Sequence, residues 1–166
     1  MNFNGLILEL PKTIKLFLAV FVLVLSVGYF TGLLFVNSTS TANPNGIEEH
    51  YLGNEDQDEA TVMKFKKSDK EMLSIVHSHI LSMSLIFFLV GGILSITKLN
   101  PTLKKVLMIE PLLSVIFTFG GIYFLWKGIL WMKYIVMVSG TLMTLSYTIS
   151  VLIILYQICF LSKSKA

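Results

Sequence analysis

Any chemistry in this chain has to come from very few side chains. There are three histidines, His50, His77 and His79, and one acid, Glu110, that stands well inside an otherwise apolar run. Neutral imidazole is the commonest metal-binding side chain. The histidines could therefore hold haem iron, copper or zinc, with soft sulfur from Met72, Met83 or Met132. His77 and His79 are two positions apart, which turns their side chains about 200° from each other on a regular helix. One helix cannot direct both at one ion, so a site would pair one of them with His50. The competing reading places all three at a membrane interface, bonded to serines, loop backbone or headgroups. No ligand spacing of a recognised metal site is present. A relay of two bis-histidine haems would need four axial histidines, more than the chain has.

Glu110 could carry a proton or a cation, or hold a partner subunit, because an ionisable group inside a membrane span is by default a functional candidate. It could equally be met by Lys104 or Lys105 reaching in from the boundary. Its neighbour Pro111 has no backbone donor and frees a carbonyl one turn back. By helix rise, Glu110 and the histidines belong to opposite leaflets and cannot form one site. The acidic run at 54–59 lacks the glycine and distal glutamate of an EF-hand loop and reads as a solvated cluster. No nucleophile–base–acid order, phosphate loop or HExxH occurs, so an enzyme acting alone is not expected.

The elements that position these residues follow from composition. Of 166 residues, 54% are hydrophobic and 14% charged, with a mean hydropathy of +0.75. Soluble domains carry about 25% charged residues, so lipid is the expected solvent. Four runs are long enough to cross about 30 Å of hydrocarbon at 1.5 Å per residue: residues 16–36, 72–97, 106–126 and 134–162. The expected fold is all-α, a single membrane domain over 1–166 forming a four-helix bundle. The connection at 37–71 is 35 residues long and belongs outside the hydrocarbon. The first run, at 21 residues, exceeds the roughly 7–15 of a cleaved signal core and is expected to stay as an anchor.

Each predicted span carries small residues four apart that could seat a neighbouring helix: Gly28 and Gly32; Ser74, Ser78 and Ser82; Ser114 and Thr118 beside Glu110 and Gly121; Gly140, Thr144 and Thr148. All thirteen basic residues are lysine. Without arginine's bidentate fork, nucleic-acid binding is not expected. Lysine bias favours a cytoplasmic N-terminus and C-terminus, with seven lysines inside and six outside. Trp126, Trp131, Tyr123 and Tyr134 then gather at the outer boundary. The single cysteine, Cys159, excludes an internal disulfide.

The segment Gly46-Ile47-Glu48-Glu49-His50-Tyr51-Leu52-Gly53-Asn54, followed by Met63-Lys64-Phe65-Lys66-Lys67-Ser68 and His77-Ser78-His79, resembles a family of uncharacterised bacterial inner-membrane proteins. In these, a His-Tyr-x-Gly loop precedes a His-x-His helix within four spans. The resemblance implies a bacterial plasma-membrane location and a grouping of His50, His77 and His79; it implies no reaction. Three functions are compatible with the chain. The first is a non-enzymatic bundle presenting a histidine site for haem or a transition metal at its outer face in a respiratory setting. The second is a structural or assembly subunit bound to other membrane subunits or to itself. The third is a small transporter coupled to protons or ions through Glu110.

Overall fold

The computed structural model describes residues 3–39, 41–55 and 62–161. All regular structure among them is helical. A 3-10 turn at Leu6–Leu8 leads into α1 (Lys12–Ser38). The short α2 (Pro44–Leu52) and α3 (Asp69–Ser95) follow. Next, α4 (Pro101–Val115) runs through a π-helical turn (Ile116–Gly120) into α5 (Gly121–Trp126), and α6 (Met132–Cys159) closes the chain. Helices α1, α3 and α6 and the rod from Pro101 to Trp126 are each long and apolar enough to cross a membrane.

Helices α3 and α4 begin earlier than the apolar runs because capping groups, not hydropathy, set their N-terminal ends. Ser68 and Glu71 form a reciprocal capping box that starts α3 at Asp69. Asn100 accepts from the backbone N–H of Thr102 and Leu103, with Pro101 as the first helical residue. A helix of 27 residues is about 40 Å long, so its ends project past the roughly 30 Å of hydrocarbon.

Helix α6 lies at the centre, touching α1, α2, α3, α4 and α5. It buries Val136, Met143, Tyr147, Val151 and Ile154. Helices α4 and α5 pack closest to it: a Cβ on Gly121 would stand 2.9 Å from Val136 Cγ2, so a hydrogen at that position lets the backbones approach. Helix α1 rests on α6 and buries only Lys15, Val22 and Tyr29. Two of the expected small-residue stripes do not pack within the chain. Gly28 and Gly32 face open space. Ser74, Ser78 and Ser82 are exposed, and Ser78 and Ser82 bond back to carbonyls of their own helix.

The long connection contains a helix rather than only loop. Asn43 caps α2 by accepting from Gly46 N–H at 2.7 Å, Pro44 opens it and Gly53 ends it. Helix α2 lies across the ends of α5 and α6 with Ile47 buried. The chain then folds back on it as a clasp. Asn54 binds Val62 C=O and Lys64 N–H through its side chain at 3.0 and 2.7 Å, and its own N–H donates to Lys64 C=O. Lys67 N–H donates to Tyr51 C=O, and Trp126 Nε1 donates to Lys67 C=O at 2.8 Å. Two ion pairs tie the clasp down, Glu48 to Lys133 at 2.6 Å and Glu49 to Lys64 at 3.3 Å.

Gly53 is required at the turn of the clasp. Its φ is +84°, and a Cβ there would lie 2.7 Å from Lys64 O and 2.8 Å from Lys66 N. Gly53→Ala is expected to cost the clasp about 1–3 kcal/mol. Limited proteolysis should then cut between α2 and α3 sooner than in the parent, while far-UV circular dichroism of the spans stays unchanged. Equal protease resistance would show that the clasp does not depend on this turn.

Candidate functional site

Glu110 stands on the third turn of α4, and its carboxyl joins two helices. Oε1 accepts from Ser114 Oγ one turn further along α4, at 2.5 Å. Oε2 accepts from Ser146 Oγ of α6. Both serines are buried, and the glutamate is half-buried in the α4–α6 seam. Neither lysine expected from sequence pairs with it among the described residues: Lys105 makes no ion pair there, and Lys104 is engaged elsewhere. Lys104 Nζ donates to the carbonyls of Ser95 and Thr97 at 2.9 and 2.7 Å and to Asn4 Oδ1 at 2.9 Å. It closes the C-terminal end of α3, where backbone carbonyls lack helical partners. Glu110 makes no ion pair among the described residues, so hydroxyl donors rather than a cation satisfy it.

Further polar pairs continue along the seam toward α2. Thr118, in the π-helical turn, meets Ser139 at 2.8 Å. Tyr29 of α1 stacks on Tyr147 of α6 with centroids 3.9 Å apart and planes 12° apart. Their hydroxyls reach Thr144 at 3.3 Å and Ser26 at 3.2 Å, and Phe87 of α3 stands edge-on to both rings. Three helices therefore converge on one aromatic stack. Pro111 and the π-helical turn place two departures from regular α-helix within ten residues of the carboxyl, a pattern frequent at functional sites. A carboxyl held by two hydroxyls can take up or release one proton. It has no nucleophile–base pair beside it.

The histidines occupy three separate environments. His50 is half-buried on α2, with its ring edge-on to Tyr51 at 4.8 Å. His79 lies against Phe119 at 4.8 Å, and its Nδ1 is 2.8 Å from Ile75 O; a neutral ring donates from Nδ1 there and keeps Nε2 as an acceptor. His77 is exposed on another face of α3. No group of three or more His, Cys, Asp or Glu side chains is placed to hold a metal ion among the described residues. Asp56, Asp58 and Glu59 of the acidic run lie outside the described residues.

Sequence reasoning found Glu110 and its own-helix stripe but missed Ser146 and the tyrosine stack. A signal existed: Ser139, Ser146 and Ser150 recur at intervals of seven and four, one face of a helix, and all three are buried.

Two outcomes follow. Ser146→Ala should cost about 1–2 kcal/mol in a detergent-unfolding measurement, the scale of a hydrogen bond between membrane helices. Glu110→Gln, which keeps an acceptor, should unfold closer to the parent than Glu110→Leu. For His50, burial, then Lys67 and Lys64, lower the pKa below its ordinary 6.5. The unfolded chain then binds the proton more readily than the folded one, so clasp stability falls as pH drops below about 6.5 and is level above it. An imidazole NMR titration should place the His50 midpoint below that of a histidine in a flexible peptide; a midpoint at or above it would contradict the packing.

A family model described as a transmembrane helical domain, Aq_1264_TM, matches residues 41–165, which run from just before α2 to beyond α6 and leave α1 outside. No curated protein and no solved structure matches the chain significantly. With four helices long and apolar enough to span a bilayer and a match over most of its length, this multi-pass membrane protein belongs to the Aq_1264_TM family of transmembrane helical domains.

Proposed function

We propose that the protein is a non-enzymatic assembly subunit of the bacterial plasma membrane, with both termini cytoplasmic, and that α3 is the helix it offers to another membrane helix. The observation that carries this is the outward face of α3. Ser74, His77, Ser78 and Ser82 are exposed along about 12 Å of helix. Serines that bond back to their own carbonyls are tolerated by lipid, but a histidine head within a span gains from a protein partner. Burial points the same way. Within the chain, 11% of the apolar window of α3 and 17% of that of α1 are buried, against 44% for α4–α5 and 39% for α6. Half the spans thus present most of their surface outward, and small residues such as Gly28 and Gly32 let a neighbour come close. The bacterial location rests on the His-Tyr-x-Gly and His-x-His resemblance, and the orientation on the lysine bias.

Glu110 supports a second reading, a proton or ion carrier, because its carboxyl has no counter-ion among the described residues and lies beside two helix irregularities. A haem or metal role would pair His50 with His77 or His79, and no third His, Cys, Asp or Glu side chain is grouped with such a pair among the described residues. The assembly reading stands ahead of it.

Protein extracted in mild detergent should have a protein mass above the 18.7 kDa of one chain, and Ser78→Leu with Ser82→Leu should lower it while leaving helix content unchanged. A single-chain mass in the parent would overturn the proposal. Proton uptake by reconstituted vesicles that is lost in Glu110→Gln would favour the carrier.

A further inference from the structure

At the end of the bundle opposite α2, a groove of about 360 Å³ opens between the N-terminal segment and α4. Leu99, Pro101, Met108 and Ile109 form its apolar wall, and Lys104 and Lys105 stand at its rim. From this arrangement we propose that the groove is a site for one anionic phospholipid, with the phosphate at Lys105 and an acyl chain along Met108 and Ile109.

Charge complementarity selects this occupant. The described residues at this end carry Lys12, Lys15, Lys98, Lys104 and Lys105, and Glu9 is the one acid at the boundary. Lys15 and Lys104 are committed to protein acceptors, Leu8 O at 2.9 Å and the end of α3. Lys105 is exposed and makes no hydrogen bond or ion pair among the described residues. Lysines at the end of a span reach the headgroups with their charge while their stems lie on apolar surface. Below Lys105 the wall consists of the half-buried Met108 and the exposed Ile109, one turn further into the third span, where acyl chains run. Lys104 has a different part: by holding Asn4 and the end of α3 together, it fixes one side of the groove.

The site is independent of the assembly proposal, since it lies at the other end of the molecule from the exposed serines of α3. Native mass spectrometry of the full chain, titrated with phosphatidylglycerol and separately with phosphatidylcholine of the same acyl chains, tests it. Preferential retention of phosphatidylglycerol is expected, weakened about fivefold by Lys105→Gln and restored by Lys105→Arg. Because Lys105 is exposed, the substitution leaves the fold intact. Retention of both lipids alike, or phosphatidylglycerol retention indifferent to Lys105→Gln, would overturn the proposal. So would displacement of the lipid by inorganic phosphate, which would make the rim a site for a free anion.

Discussion

Hydrocarbon supplies no hydrogen bonds, so a polar group carried into it must find its partner within protein. In this chain that constraint falls hardest on Glu110. Its carboxyl meets hydroxyls from its own helix and from α6, and much of the bundle follows from the need to keep those helices in register. Gly121 permits the close approach of α5 to α6. The Thr118–Ser139 contact repeats the hydroxyl pairing two turns away. The stacked tyrosines then attach α1 to α6, with Phe87 of α3 edge-on to both rings. The irregular stretch Ile116–Gly120 lies between the carboxyl and the clasp, so the least regular backbone of the spans is enclosed by the best-packed pair of helices.

The two ends of the bundle are closed by different means. At one end, α2 and the returning chain form a small water-exposed unit held by Asn54, Trp126 and two ion pairs. At the other, Gln157 binds both backbone groups of Lys98, at 2.7 and 2.9 Å. The 3-10 turn inserts Ile7 beside it through a bond from Ile7 N–H to Ile96 O. Each closure satisfies helix-end groups that would otherwise face the headgroups unpaired. The segment from Gly46 to Asn54 falls in the first closure. The clasp gives it structural reasons: Gly53 for its positive φ, Asn54 for its two-sided side chain, Tyr51 for burial that pushes its phenol up to about 12.

The four spans were legible because apolar length is a one-dimensional property, readable without knowing any contact. The inward turn of Glu110 was legible too, because Ser114, Thr118 and Gly121 repeat at helical spacing. Their partners on α6 were not, since pairing across helices depends on rotation and depth that no local pattern states. The outward stripes on α1 and α3 show the converse. Small residues four apart mark a face suited to close packing, but they do not say whether the neighbour belongs to the same chain. Helix α2 was missed although Asn43-Pro44 and Gly53 bracket it, because an amphipathic segment of nine residues carries too few apolar positions to stand out among charges.

On the assembly proposal, the Ser74–Ser82 face of α3 is covered by another membrane helix rather than by lipid. A spin label placed at residue 78, in a Cys159→Ser background reconstituted into a bilayer, measures this directly through its mobility and its collisions with dissolved oxygen. A label at the exposed Val138 of α6 provides the lipid-facing reference. The label at 78 is expected to be immobilised and shielded from oxygen relative to that at 138. A mobile label at 78, as accessible to oxygen as the one at 138, would show that lipid covers this face.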